Sequence, residues 1–250
     1  MEMTRFRECL AAEFAQLREA AAGTDPAAPV PSCPEWTVAD LTGHVAEVYQ
    51  HKTESMRRGE FPRPWPPDPT GEDPLALLDR SYRELVGEFD ARPVAERAAH
   101  WYEPDPTVGC LLRRMAHETL IHRVDAELAA GTGPSAVPDD LAVDGVDEVL
   151  HVMLAYMSQG WPKAFEDLPE RGEAPAVLVA AGSASWLLIP TPTGVTVGSG
   201  GAADGVATVS GDPQAVLLWL WGRQPDSGVA VTGDRAAVAT VGSLLREATQ

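Results

Sequence analysis

The sequence predicts an α+β chain of two domains, a helical bundle followed by a smaller domain of strands and helices. Three observations carry that prediction. Apolar residues recur at helical spacing in a series of segments up to about residue 160, proline-rich connections separate those segments, and after Trp161-Pro162 the pattern changes to short β-forming runs. The expected domains are 1–160 and 173–250, with the boundary between about residues 160 and 175.

Phe6, Leu10, Phe14 and Leu17 define a first amphipathic helix over roughly residues 4–22, followed by a proline-containing loop from Gly23 to Glu35. Thr37, with Asp40 three residues on, reads as an approximate capping box opening a second helix. Its apolar face is Val38, Leu41, Val45 and Val48, and His44 lies on that face. The stretch Gly59 to Pro74 holds too many prolines for regular helix or central strand, so it is a long connection. Leu78, Tyr82, Leu85 and Phe89 mark a third helix. A fourth runs from about Gly109 to Ala130, and a fifth starts at Asp139-Asp140. Helices joined in this way form a bundle. In the second domain the expected strands are Ala176–Ala180, Trp186–Ile189, Gly194–Val197, Val206–Val209 and Val229–Thr232. Helices are expected over Pro213–Trp221 and from Asp234 onward.

A hydrophobic content of 44% with 22% charged residues is that of a soluble globular chain and argues against disorder. The formal net charge of −18 repels phosphate backbones and anionic headgroups, which makes nucleic acid and membrane surfaces poor partners. No apolar stretch is long enough to span a bilayer, and the start reads as an amphipathic helix rather than a signal peptide. Cys9, Cys33 and Cys110 are odd in number and form no C-x-x-C pair, so reduced thiols and a cytoplasmic location are expected. Only Lys52 and Lys163 are lysines among 19 basic residues, a bias toward arginine that suits a high-GC genome. Oligomeric state is not legible.

The informative segment is His117-Glu118-Thr119-Leu120-Ile121-His122. It is one residue longer than a zincin H-E-x-x-H. His117 and His122 are therefore roughly 140° apart on a helix and cannot share an ion. Glu118 and His122 stand one turn apart on one face, with Cβ atoms about 5–6 Å from each other, and can chelate. His44 can complete a His₂Glu set of the kind zinc uses with one position open; nickel, iron and manganese accept the same donors. A histidine on an apolar face is also an ordinary core residue, so spacing alone leaves both readings open. Arg123 and Asp125 do not face each other on a helix and read as bundle or interdomain contacts, with support of a ligand side chain as the lesser option.

The runs from Cys33 to His44 and from Met115 to Glu127 resemble the two signature segments of the mycothiol-dependent maleylpyruvate isomerase family. That actinobacterial group has a DinB-like four-helix bundle and a sterol-carrier-like C-terminal domain. Its metal ligands are the His of W-x-x-x-D-L-x-x-H and the Glu and His of H-E-x-x-x-H, which correspond to His44, Glu118 and His122. His117, excluded from the set, reads as structural or as orienting a neighbouring side chain. The resemblance also implies activity for Arg223 of Leu220-Trp221-Gly222-Arg223, although a cation at a helix C-terminus is an equally ordinary reading. Trp219 and Trp221 are expected in the core.

The implied cofactors are zinc or another divalent metal and mycothiol, with a small molecule as substrate. A thiol deprotonated at the metal adds to a cis alkene, the carbon–carbon bond rotates, and the thiol leaves from the trans product. A mycothiol S-transferase, a metal-hydroxide hydrolase and a non-catalytic small-molecule-binding protein are the alternatives. Little cationic character is expected beside the three ligands, so Arg223 is expected to point into the cleft between the domains, toward an anionic substrate.

Overall fold

The computed structural model describes residues 1–66, 71–161, 175–200 and 206–249. Its contacts divide the chain into two compact units, Met1–Ser135 and Ala136–Gln250.

The first unit is a four-helix bundle built from α1 (Met3–Ala22), α2 (Val38–Arg58), α3 (Pro74–Ala91) and α4 (Val108–Ala130). Helix α1 packs on α4, and α2 lies against both α3 and α4. The cap signals work as written in the sequence. Thr37 accepts the backbone N–H of Asp40 at 3.2 Å while Asp40 accepts that of Thr37 at 2.9 Å, and Gly59 ends α2 in the left-handed region at φ 69°. Asp73 and Thr107 cap α3 and α4. Leu10, Leu17, Leu41, Val45, Leu78, Leu85, Leu111, Leu120 and Val124 fill the centre. Between α1 and α2 the structure has a small antiparallel hairpin, β1 (Pro29–Val30) with β2 (Cys33–Thr37), where the sequence reads as loop. Two strands this short carry no alternation to detect.

Helix α4 is buried almost from end to end, although it carries Arg114, His117, Glu118, His122, Arg123, Asp125 and Glu127. Charged side chains survive burial only with partners, so this helix concentrates the polar chemistry of the bundle.

The second unit opens with α5 (Asp139–Glu148), which continues through one π-helical stretch, Val149–Tyr156, into α6 (Met157–Gly160). Then comes a five-stranded sheet of β3 (Val177–Ala181), β4 (Ala184–Thr191), β5 (Gly194–Ser199), β6 (Ala207–Gly211) and β7 (Ala230–Thr232). The order is β5-β4-β3-β6-β7, antiparallel except for the parallel central pair β3 and β6. Helices α7 (Pro213–Leu220) and α8 (Arg235–Ala248) pack on the sheet. Five strands and two helices thus fall where the alternation and the caps Asp212 and Asp234 put them. Helix α5 packs on α7, and the π-helical stretch lies against β5, so this fifth helix groups with the sheet rather than with the bundle. Most of the 160–175 segment that the sequence reads as the boundary lies outside the described residues.

Among the described residues, no helix is long and apolar enough to cross a membrane.

Candidate metal centre

The Thr37–Asp40 box sets the first turn of α2, so His44 projects two turns in, toward α4. There Glu118 and His122 stand one turn apart. His44 Nε2 is 3.5 Å and His122 Nε2 is 3.2 Å from the same oxygen, Glu118 Oε1. One ligand atom from each of the three lies within 4.8 Å of the other two. Bonds of about 2.0–2.2 Å to one ion would hold donor atoms roughly 3–3.5 Å apart, so a divalent cation fits with little movement. Two imidazoles and a carboxylate suit zinc and its borderline neighbours.

Side-chain exposure falls from 35% at His44 to 14% at Glu118 and 10% at His122, so the trio opens on the His44 side. Trp36, at the end of the hairpin, lies over that opening. Its ring centroid is 4.7 Å from that of His44 and 6.2 Å from that of His122.

The electrostatics bind the trio together. Burial by itself would raise the Glu118 carboxyl, but Arg114 and the two histidines hold it well below the ordinary carboxylate range. The Arg114 guanidinium contacts Glu118 Oε2 directly. Burial works against a charged His122, yet Glu118 and Asp125 together hold its pKa up to about 9. The charged His122 ring places a positive charge beside this carboxylate, and a metal ion seated among the three would displace the proton.

Behind the trio, His122 Nδ1 is 3.0 Å from Asp125 Oδ2, and Ser32 donates to Asp125 Oδ1 at 2.5 Å. Asp125 is therefore a positioning residue for the His122 ring, the lesser of its two sequence readings rather than the bundle or interdomain contact. The Cys33 thiol approaches the same carboxylate at 4.0 Å. Arg123 turns the other way. Fully buried, it donates to Glu13 at 2.8 Å and Glu127 at 2.7 Å, the bundle contact the sequence suggests. Beside the trio, Thr119 donates to the Met115 carbonyl at 2.6 Å. Its oxygen is thus left to accept from Tyr49 at 2.6 Å, which locks α2 to α4.

His117 lies away from the trio, edge-on to Phe6 of α1 at 6.0 Å, as the 140° separation requires. Arg114 and Lys52 are the residues that sequence reasoning passed over, and they contradict the expectation of little positive charge beside the ligands. Arg114 could have been found by the i, i+4 rule applied backward from Glu118.

In the second unit Arg223 follows α7. Its Nη1 donates to the Trp221 carbonyl at 2.7 Å, and its guanidinium lies 5.7 Å from the centre of the Trp221 ring. Trp219 and Trp221 are buried, as expected.

Comparison with known proteins adds the following. A family model described as "Mycothiol maleylpyruvate isomerase N-terminal domain" matches residues 7–127, and one described as "MDMPI C-terminal domain" matches residues 140–240. The crystal structure of the mycothiol-dependent maleylpyruvate isomerase aligns with a TM-score of 0.62 at 15% identity, covering 93% of each chain. A histidine-to-alanine mutant of that isomerase aligns with a TM-score of 0.61, again at 15% identity and 93% of each chain. At that identity the likeness is one of fold. No curated protein matches the sequence significantly.

Proposed function

We infer the activity of this chain from the premise that it belongs to the mycothiol maleylpyruvate isomerase family, whose two domain models match residues 7–127 and 140–240. The reading is a metal-dependent isomerase of that type, which uses mycothiol to bring a small cis-configured keto acid to its trans form. The observation that carries it is the convergence of His44, Glu118 and His122 on one point.

A divalent ion there, zinc by the donor set, supplies a Lewis-acid centre that stabilises a thiol as thiolate at neutral pH. The chain's own residues do the rest. Glu118 offers one oxygen to the trio while Arg114 takes the other, which fixes the rotation of the carboxylate. Asp125 keeps the His122 proton on Nδ1, so Nε2 is the free donor. Trp36 lies over the open His44 side and limits water there. Arg223, implicated through the family resemblance, is assigned to the developing negative charge of the substrate.

The test is elemental analysis with a thiol-dependence assay. About one zinc per chain is expected. His44→Ala or His122→Ala should empty the site, and His117→Ala should leave it filled. Turnover of a cis keto-acid alkene should need mycothiol, and the thiol should be recovered unchanged. Thiol consumed mole for mole would make the chain an S-transferase. Metal-free protein that cannot be reloaded would remove the reading.

A further inference from the structure

Several packed cations of the first unit meet carboxylates: Arg123 with Glu13 and Glu127, Arg114 with Glu118, Arg92 with Glu88. Lys52 is different. Among the described residues it has no hydrogen bond and no ion pair, although it is only partly exposed and the chain carries 37 acidic residues.

Its surroundings are set by three elements. Its neighbour on α2 is His51, the 97–101 segment brings His100, and α4 brings Arg114 and Glu118. Burial, then the nearby Lys52 charge, pushes both histidines down to about 4, so they are neutral at pH 7. Arg114 and Glu118 offset one another. Among the described residues, Lys52 therefore keeps a positive charge that no ion pair answers, on a chain of net charge −18. Burial also brings the Lys52 ammonium down to about 8, with Arg114 pushing the same way and Glu118 opposing. A desolvated cation without a counter-charge is costly, and a ligand that completes the pair recovers that cost.

The position is informative as well. Lys52 lies on the i±4 ridge of His44 and Val48, roughly 12 Å of helix beyond His44. Helical side chains lean toward the N-terminus, which brings its ammonium back toward the trio, within electrostatic range of Glu118.

We propose that Lys52, with Arg114 beside it, is the seat of a substrate carboxylate, placed so that the anchored molecule reaches the His44–Glu118–His122 trio. This rests on the isomerase reading for the word substrate. The seat itself stands on the uncompensated charge. The bundle thus supplies a cation of its own for an anionic ligand, so Arg223 need not be the first to hold it.

The experiment titrates maleate, a small cis dicarboxylate, into the full chain, both as purified and stripped of metal by chelator. Binding is followed by calorimetry and by the maleate-induced rise in Tm. Both forms should bind. Lys52→Met should weaken maleate by roughly tenfold or more in both forms. Its metal content should be unchanged, and its Tm without maleate should be no lower than that of the parent, because the desolvated charge is gone. Lys52→Arg should stay within roughly threefold of the parent, and it keeps the test open if the Met variant folds poorly. Unchanged maleate affinity in Lys52→Met, or a loss of affinity only in step with a loss of Tm, would overturn the proposal. So would inorganic phosphate binding as tightly as maleate, since the seat would then take anions at large. A chain that binds maleate through Lys52 but shows no thiol-dependent turnover keeps this inference and loses the isomerase.

Discussion

His122 Nδ1 lies 3.0 Å from Asp125 Oδ2, three residues further along the same helix. A carboxylate only accepts, so Nδ1 keeps its proton, and the second proton of the charged ring, on Nε2 toward Glu118 at 3.2 Å, is the one a metal ion would displace. Ser32 holds the other Asp125 oxygen, and both Asp125 and His122 are buried. Asp125→Asn should therefore weaken metal binding by roughly 10–100-fold, because an amide can offer a donor where the ring needs an acceptor. Competition with a chromogenic chelator measures it. Unchanged affinity would reduce Asp125 to packing.

The His122 pKa of about 9 yields a pH prediction for the metal-free chain. The folded value is raised above the ordinary 6.5, so the stabilisation is fully present below about 6.5 and is lost as pH rises through about 9. Glu118 acts at the other limb. Its folded pKa is depressed, so its contribution is present above about 4.5 and fades as pH falls through the depressed value. The Tm of the stripped chain should fall between pH 7 and 10, and His122→Asn should flatten that fall. Loading with metal below pH 9 should release about one proton, readable by calorimetry in buffers of different ionisation enthalpy.

Arg123 tests the buried ion network on the other side of α4. Its guanidinium satisfies Glu13, Glu127 and the Ser135 carbonyl at 2.8, 2.7 and 3.1 Å. Burial already pushes the Glu13 carboxyl up despite the opposing charge of Arg123. Arg123→Met should cost about 3–5 kcal/mol in denaturant unfolding, since it strands buried carboxylates. Adding Glu13→Gln should recover part of that loss. Purely additive effects would mean that the two groups do not act as a pair.

Arg223→Lys keeps the charge but loses the planar fork that donates to Trp221 and lies near its ring. Turnover should fall by about tenfold or more, with metal content and Tm unchanged. An undiminished rate in Arg223→Ala would leave only a cation at the end of α7.

Much of the architecture is legible in the chain itself. The spacing of Phe6, Leu10 and Leu17, the Thr37–Asp40 box and the Asp212 and Asp234 caps mark helices that the structure contains. The β1–β2 hairpin that carries Trp36 is not legible, because two short strands with Pro29 and Pro34 carry no periodic signal. The i, i+3 relation of Asp125 to His122 was available from spacing, but helical spacing also pairs many residues that only meet solvent. Lys52 gives no local signal, since what distinguishes it is that, among the described residues, no carboxylate from another element forms an ion pair with it.

By itself the sequence determined angles: which side chains share a helical face, and hence that Glu118 and His122 can act together while His117 cannot. Those follow from 3.6 residues per turn and need no partner helix. Only the tertiary structure decided distances. His44 is 74 residues from Glu118, and their separation of 3.5 Å comes from the packing of α2 on α4. Packing also decided which charges lost their water and which found partners, because desolvation depends on every element that closes over a group.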